Sequence, residues 1–472
     1  MLKNPLIQRY RYSLLRPSNV LVYLTIYISV VLLLLFINYT LYIYQHTISS
    51  PQGLCRGIYF QFLAFQALIL WIFGPSSSAS AVKEEITGKT YDFFRMLPLS
   101  AYQKTTGILI GKNLVVLFLG AINCLLLIFF GSAGGLSANL QIQVLFVLFS
   151  IMILTNSIAL LSSINPSQKT KTNNVLAVII LIYFLGPFFI VPFFGLSKTE
   201  EWETVTAWFF ATEIPLLVLI SLIALYFSCW AIKGTLRKFT REDEPLFTRK
   251  GALLFMLGFE FILLGLFYHY LKKGETEVGY AYWMLSLIAV FVIPFGALRT
   301  FDRYLEHIGL MREQSGSKIN PISRILLHSN ISLVLGLFVV WSVGTFVTIL
   351  LSNMELLQGL YRIGIVFTFY LFLTLLLELD TLYRPLSNKI RHLLIFIAAL
   401  YVILPPIVAA IFESDTLYVY SPCGFFWAIM QEPHIDMPSL TSVWGLNIIL
   451  SVIPIMLISK RYNHILKLRQ KM

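Results

Sequence analysis

Charge is what this chain has least of. Of its 472 residues, 12% are Asp, Glu, Lys or Arg and 57% are hydrophobic, whereas a water-soluble domain carries about 25% charged residues. That shortage excludes a surface made mainly for water. Acid is the scarcer sign, with 23 Asp and Glu against 35 Lys and Arg, a formal net charge of +12. Cysteine is rare too: four residues, far apart, with no CxxC and no Cys/His spacing suited to a metal. Cys124 and Cys229 fall in apolar segments and read as packing residues. Cys55 and Cys423 fall on the same side of the expected topology, where a disulfide between them is geometrically allowed.

Catalytic patterns are missing as well. There is no GxSxG and no HExxH. Gly107-Ile-Leu-Ile-Gly111-Lys112-Asn113 has a superficial likeness to a phosphate-binding loop. It has three residues between its glycines instead of four, Asn where Ser or Thr should meet magnesium, and an apolar run directly after it. The chain is therefore expected to hold no ATP, magnesium or metal of its own and to be no enzyme. No cleavable signal peptide is read either, because the basic tail leads into an apolar run too long for a signal core.

What is present is a series of apolar runs of about 20 residues, each long enough to cross a bilayer. Twelve spans are expected, at roughly 19–44, 58–75, 109–131, 141–163, 174–195, 207–232, 251–271, 280–298, 331–352, 359–378, 392–412 and 440–459. With the N-terminus inside, 30 of the 35 Lys and Arg fall in the inner loops and tails; only Arg56, Lys198, Lys272, Lys273 and Arg362 do not. This positive-inside bias places both termini in the cytoplasm. It accounts for the basic charge through anionic inner-leaflet lipid and leaves no call for nucleic acid.

The longest polar interval of the first half, Lys83 to Ser100, lies between two apolar segments. Val82, Ile86, Phe93 and Leu97 recur near the helical period, so Val82–Leu97 is expected to form one amphipathic helix ended by Pro98. Such a helix suits the receipt of force from a partner below the membrane, and it equally fits an ordinary solvated loop helix.

The two halves look alike. Glu85-Ile-Thr-Gly88 and Pro98-Leu-Ser100 have counterparts in Glu306-His-Ile-Gly309 and Pro321-Ile-Ser323, offset by 221 and 223 residues. Ala207-Trp-Phe-Phe-Ala211 has one in Gly424-Phe-Phe-Trp-Ala428, offset by about 219. An even number of spans per copy inserts both copies the same way up, so the repeat is parallel. The expected fold is an all-α polytopic membrane protein of about 12 spans: a first half 1–235, a linker 236–250 and a second half 251–472.

Six spans per half, an amphipathic helix between the second and third, and an aromatic outer segment before the sixth resemble the type-two ABC exporter permease. Its hinge pattern is similar to Glu85-x-x-Gly88, Thr90, Pro98-Leu-Ser100 and Gly111-Lys112. The resemblance is best over 1–235. Thr90 comes one residue late, and the second hinge lacks the Gly-Thr and Gly-Lys pairs. The family pairs two six-span chains, so this chain resembles a fused pair.

The resemblance implies an exporter subunit in the bacterial cytoplasmic membrane, docked to separate ABC ATPase subunits, two copies or a heteropair, that carry ATP and Mg. Glu84, Glu85, Gly88, Asp92, Arg95 and Pro98 would be ATPase contacts in the first half, and Asp302, Glu306, Gly309, Arg312 and Pro321 in the second. Trp208 and Phe209, with Phe425, Phe426 and Trp427, would form an outer gate, and simple interfacial anchoring accounts for them equally.

Glu260 is the one acid in the interior of an expected span, and the nearest side chain in sequence that ionises near neutral pH is His269. Intramembrane carboxylates often mark ion paths, and a buried acid bonded to a Ser or Tyr of another span is the plainer reading. Glu260 keeps a second function class open, a twelve-span secondary transporter driven by an ion gradient. A membrane-embedded lipid enzyme lacks a catalytic cluster.

Overall fold

The computed structural model describes residues 4–44, 50–164, 205–241, 244–297, 330–352, 356–383 and 445–461, with residues 407 and 411 besides. Seven helices among the described residues are long and apolar enough to cross a membrane. The protein is a mostly helical, multi-pass membrane protein. It divides into two compact units, Met1–Ala207 with Glu213–Leu246, and Trp208–Thr212 with Phe247–Met472. The expected spans at 174–195 and, residues 407 and 411 aside, 392–412 lie outside the described residues.

Unit 1 opens with α1 (Pro5–Leu14), capped by the Asn4 side chain, which accepts from the Leu6 amide. The first long helix, α2 (Pro17–Tyr44), follows, then α3 (Pro51–Leu68), with Ser50 as N-cap and Pro51 in the first turn. α3 does not end at its last regular turn. A wide turn, Ile69–Phe73, carries it into α4 (Gly74–Thr87), the Gly74 amide reaching back five residues to the Ile69 carbonyl. Pro75 explains the widening, because its ring would clash with a carbonyl of a normal α-turn and it has no N–H to donate.

α4 ends at Gly88 in a Schellman arrangement, Thr90 N–H bonding the Glu85 carbonyl and Lys89 N–H the Ile86 carbonyl. Lys89 holds the left-handed position, φ 57°. Here the structure corrects the expectation of one helix over Val82–Leu97. The stretch is the end of α4, a turn, and a six-residue helix α5 (Tyr91–Met96). Val82 and Phe94 face inward, while Ile86 and Phe93 face out.

α6 (Ala101–Gly111) follows under a complete capping box, Ser100 Oγ accepting from the Gln103 amide and Gln103 Oε1 accepting from the Ser100 amide. α7 (Leu114–Ala133) and α8 (Ala138–Ser163) complete this run. The core closes around Phe62, Leu70, Val147 and Leu148. The expected sixth span starts late. Thr206–Phe209 and Thr212–Pro215 are strands β1 and β2 of a hairpin, and α9 (Leu216–Thr240) begins only after Pro215.

Unit 2 contains α10 (Arg249–Lys272), α11 (Thr276–Ala297), α12 (Asn330–Leu351), α13 (Leu356–Tyr383) and a helix α14 at 445–461. Pro294 inside α11 cannot donate to the Val290 carbonyl one turn back. The Tyr370 hydroxyl of α13 donates to that carbonyl instead, at 2.8 Å. Met256, Val290, Leu337 and Trp341 form the centre of this core.

Candidate functional site

The hinge residues of unit 1 gather where α1, α4, α5 and α6 meet. Asn4 Nδ2 donates to the Gln103 carbonyl at 2.7 Å, tying the start of α1 to α6. Gly107 and Gly111, dismissed as a phosphate loop, are the floor on which α1 lies. A Cβ at Gly111 would come within 2.6 Å of the Tyr10 ring, and one at Gly107 within 2.8 Å of Leu6. Small residues four apart allow this close approach of two backbones.

Charged side chains lock the junction from outside. Arg9 pairs with Glu85 at 3.2 Å, and Lys112 with Glu84 at 2.6 Å. Thr90 Oγ1 donates to Glu85 Oε2 at 2.6 Å. Lys112 and Arg9 lie 5.5 and 5.9 Å from the centre of the Tyr10 ring. Burial pushes the Tyr10 phenol up to about 12, with Arg9 pulling the other way.

These contacts sort the expected partner residues. The Glu85 side chain is 14% exposed and spent on internal bonds, whereas Glu84 is 62% exposed. Gly88 and Pro98 are exposed, and Asp92 and Arg95 lie on α5. What sequence reasoning missed is apolar: Phe93 is 66% and Met96 75% exposed on α5, and Ile86 near the end of α4 is exposed as well. Phe94 anchors this outward face from below, 6.1 Å ring to ring from Phe239 of α9. Asp302, Glu306, Gly309, Arg312 and Pro321 lie outside the described residues, as do Phe425, Phe426 and Trp427.

Away from the junction, unit 1 joins its helices through buried amides. Asn38 of α2 and Gln61 of α3 exchange two hydrogen bonds, 2.6 and 3.2 Å. Asn123 of α7 accepts from Tyr27 and donates to Gln66, while Gln66 donates to the Gly120 carbonyl. At the α6–α7 break, Asn113 donates to Ser78, and Ser78 donates to Asn156 of α8. Arg56 Nε donates to the Gly134 carbonyl at the end of α7. Cys55 is a free thiol, and Cys423 lies outside the described residues.

Unit 2 joins its helices differently. Glu260 of α10 is 4% exposed, and its Oε2 accepts from the Tyr282 hydroxyl of α11. Trp283 Nε1 donates to Thr348 and Trp341 Nε1 to Ser286, both between α11 and α12. Glu378 is fully buried in α13.

The hairpin tip Trp208–Thr212 belongs to unit 2 and packs on α10. Trp208 stacks on His269, centroids 4.0 Å apart and planes 8° apart. Phe209 covers Gly265 so closely that a Cβ there would collide with its ring. Phe210 takes a positive φ of 56°, held by its amide donating to the Gly265 carbonyl and by the rings of Phe261 and Tyr268. A bulky residue in this backbone region is rare and needs such support.

Among the described residues no three His, Cys, Asp or Glu side chains gather as metal ligands. No family model, curated protein or solved structure matches the chain.

Proposed function

We propose that the chain is the transmembrane subunit of an ATP-driven exporter, built as two parallel six-span halves with both termini in the cytoplasm. The α4–α5 junction is its docking surface for a separate ABC ATPase. The observation that carries this reading is the outward face of Ile86, Phe93 and Met96, three apolar side chains on a polar segment beyond the end of a span. They sit on a foundation pinned by Arg9–Glu85 and Lys112–Glu84. Exposed apolar groups on a firm polar scaffold mark a protein contact, and a docked ATPase needs a stiff point to push against. The hinge pattern Glu85-x-x-Gly88, Pro98-Leu-Ser100 and Gly111-Lys112 supports the same partner.

Duplication is supported by a recurrence in the joints. Glu260 stands 222 positions after Asn38, and Tyr282 stands 221 after Gln61, the same offset as the hinge motifs. In both units a side-chain pair thus links the first long helix to the second. The basic inner loops support the orientation. An ion-driven carrier is the competing reading, supported by the buried Glu260.

Purification of the tagged chain from its own membrane in mild detergent, followed by mass spectrometry, tests the proposal. A stoichiometric ATPase is expected, and Phe93→Asp with Met96→Asp is expected to release it while leaving the chain folded. If the chain purifies alone under several gentle conditions, the exporter reading falls. If substrate moves in vesicles without ATP but with a proton gradient, the carrier replaces it.

A further inference from the structure

We propose that the Glu260 carboxyl is a proton-binding site in the interior of unit 2, loaded and emptied as α10, α11 and α12 part and close. The proposal stands apart from the exporter reading and survives its failure.

The site is built by three helices. α10 supplies Glu260, and α11 supplies Tyr282, whose hydroxyl donates to Oε2. α12 supplies Gly344, where a Cβ would collide with the Tyr282 hydroxyl and lie 2.9 Å from Oε2. The glycine lets the α12 backbone close over the pair and keep water out. Oε1 is buried and has no hydrogen-bond partner. Tyr282, the partner of Oε2, belongs to an apolar cluster with Leu263 and Trp283, against which Phe259 and Phe267 pack.

Among the described residues there is little around this carboxyl that balances a negative charge. Tyr282 faces it from α11, and Tyr280 of the same helix packs on that cluster. α12 has no titratable side chain from Asn330 to Leu351. His269, on α10 itself, is nine residues on and stacked on Trp208 of the hairpin tip, which carries no charge. α13 packs Ile363 on the cluster, and the neighbouring Arg362 is its one basic residue. An isolated carboxylate in such surroundings costs several kcal/mol, and a proton removes that cost. A hard metal ion does not fit, since such ions take about six oxygens and the described site offers the two of Glu260 and that of Tyr282.

A joint serving only to hold helices would use both atoms of its side chain. Asn38 and Gln61 do so, each amide donating to the other. Glu260 keeps one oxygen in reserve. On unloading, the Oε1–H bond breaks and its electron pair stays on the carboxylate. The proton passes to a water admitted as α11 moves off α10, giving hydronium, and loading is the reverse.

The test uses the full chain in lipid nanodiscs across a pH series. Infrared difference spectra between wild type and Glu260→Gln read the carboxylic acid C=O stretch, and the fluorescence of the nearby Trp283 and Trp341 reads the packing. One acid band is expected in wild type that is absent from the variant and disappears as pH rises, with a fluorescence step at the same pH. Tyr282→Phe is expected to move that midpoint, and Arg362→Gln to leave it in place. Identical spectra for wild type and Glu260→Gln overturn the proposal, and so does loss of the step in Arg362→Gln, which would mean an ion pair. Should Glu260→Gln fail to fold, an unmoved midpoint in Tyr282→Phe overturns it equally.

Discussion

In unit 1 the first and second long helices are joined by Asn38 and Gln61; in unit 2 the first two are joined by Glu260 and Tyr282. The first pair is made of amides, each donor and acceptor at once, so both side chains are satisfied and neither changes charge with pH. The second is a carboxyl and a phenol, with one oxygen left over. The rest of the wiring follows suit. Asn123–Gln66 and Asn113–Ser78–Asn156 serve unit 1, while tryptophan and threonine or serine pairs join α11 to α12 in unit 2. One unit thus carries a joint of amides that is indifferent to pH, and the other a joint that holds a carboxyl.

The largest expected effect separates the two joints sterically. Gly344→Leu should destabilise unit 2 by about 3 kcal/mol, because its side chain would collide with Tyr282 and Glu260 in the closed packing. At Gly57, where a Cβ would meet Asn38 Oδ1 at an ordinary 3.7 Å, alanine should be tolerated. Denaturant melts followed by tryptophan fluorescence read both, and equal losses would erase the contrast.

Next comes the amide joint itself. Gln61→Leu should cost about 1–2 kcal/mol by leaving Asn38 half-paired, and adding Asn38→Leu should recover part of that. A double-mutant cycle is expected to give about 1 kcal/mol of coupling; strict additivity would mean the pair is ornamental.

Smaller still is the turn at Lys89. α7 and α10 end in the same bonding pattern as α4, but with Gly135 and Gly274 at the left-handed position. Lys89→Gly should therefore stabilise unit 1 by about 1 kcal/mol. No change in the melt would show that the surrounding bonds already absorb the strain. Removing the Arg9 charge with Arg9→Gln should cost no more than about 0.5 kcal/mol, since that side chain is largely exposed.

At ordinary pH the last expectation has no effect at all. With the Tyr10 phenol at about 12 when folded and near 10 when unfolded, the folded state holds its proton longer. That contribution is complete below pH 10 and is lost as pH rises from 10 to about 12. Tyr10→Phe should flatten an alkaline melt series over that window.

Much of the helical framework was legible because apolar runs of membrane length leave few alternatives. The hairpin was not. Trp208, Phe209 and Phe210 are as apolar as the span they precede, and only Glu213 and Pro215, poor company inside a helix, signalled a break. α1 was passed over as a basic tail, although Asn4-Pro5 is a helix start and Leu6, Tyr10 and Leu14 keep a four-residue spacing. Gly88 was absorbed into a continuous amphipathic pattern, when Gly followed by a polar residue is a common end signal. That Glu260 would bond a Ser or Tyr of another span was foreseen, but not which one, since nothing local ties residue 260 to Tyr282 on the next helix.

The wide turn at Ile69–Phe73 also has a mechanical meaning. By not stopping at Pro75, the chain makes one rod of 37 residues from Pro51 to Thr87, about 55 Å long at about 1.5 Å per residue. Only about 30 Å of that lies within bilayer hydrocarbon; with the span expected at 58–75, the part from Ser76 to Thr87 is left as an arm of about 18 Å at about 1.5 Å per residue, with Phe93 and Met96 past its tip. A tilt of about 10° about the membrane surface swings such an arm by about 3 Å, roughly the rise of two helical residues. A displacement of that size at one end, small in the membrane and large at the tip, is the gearing that a rod broken at Pro75 would lose.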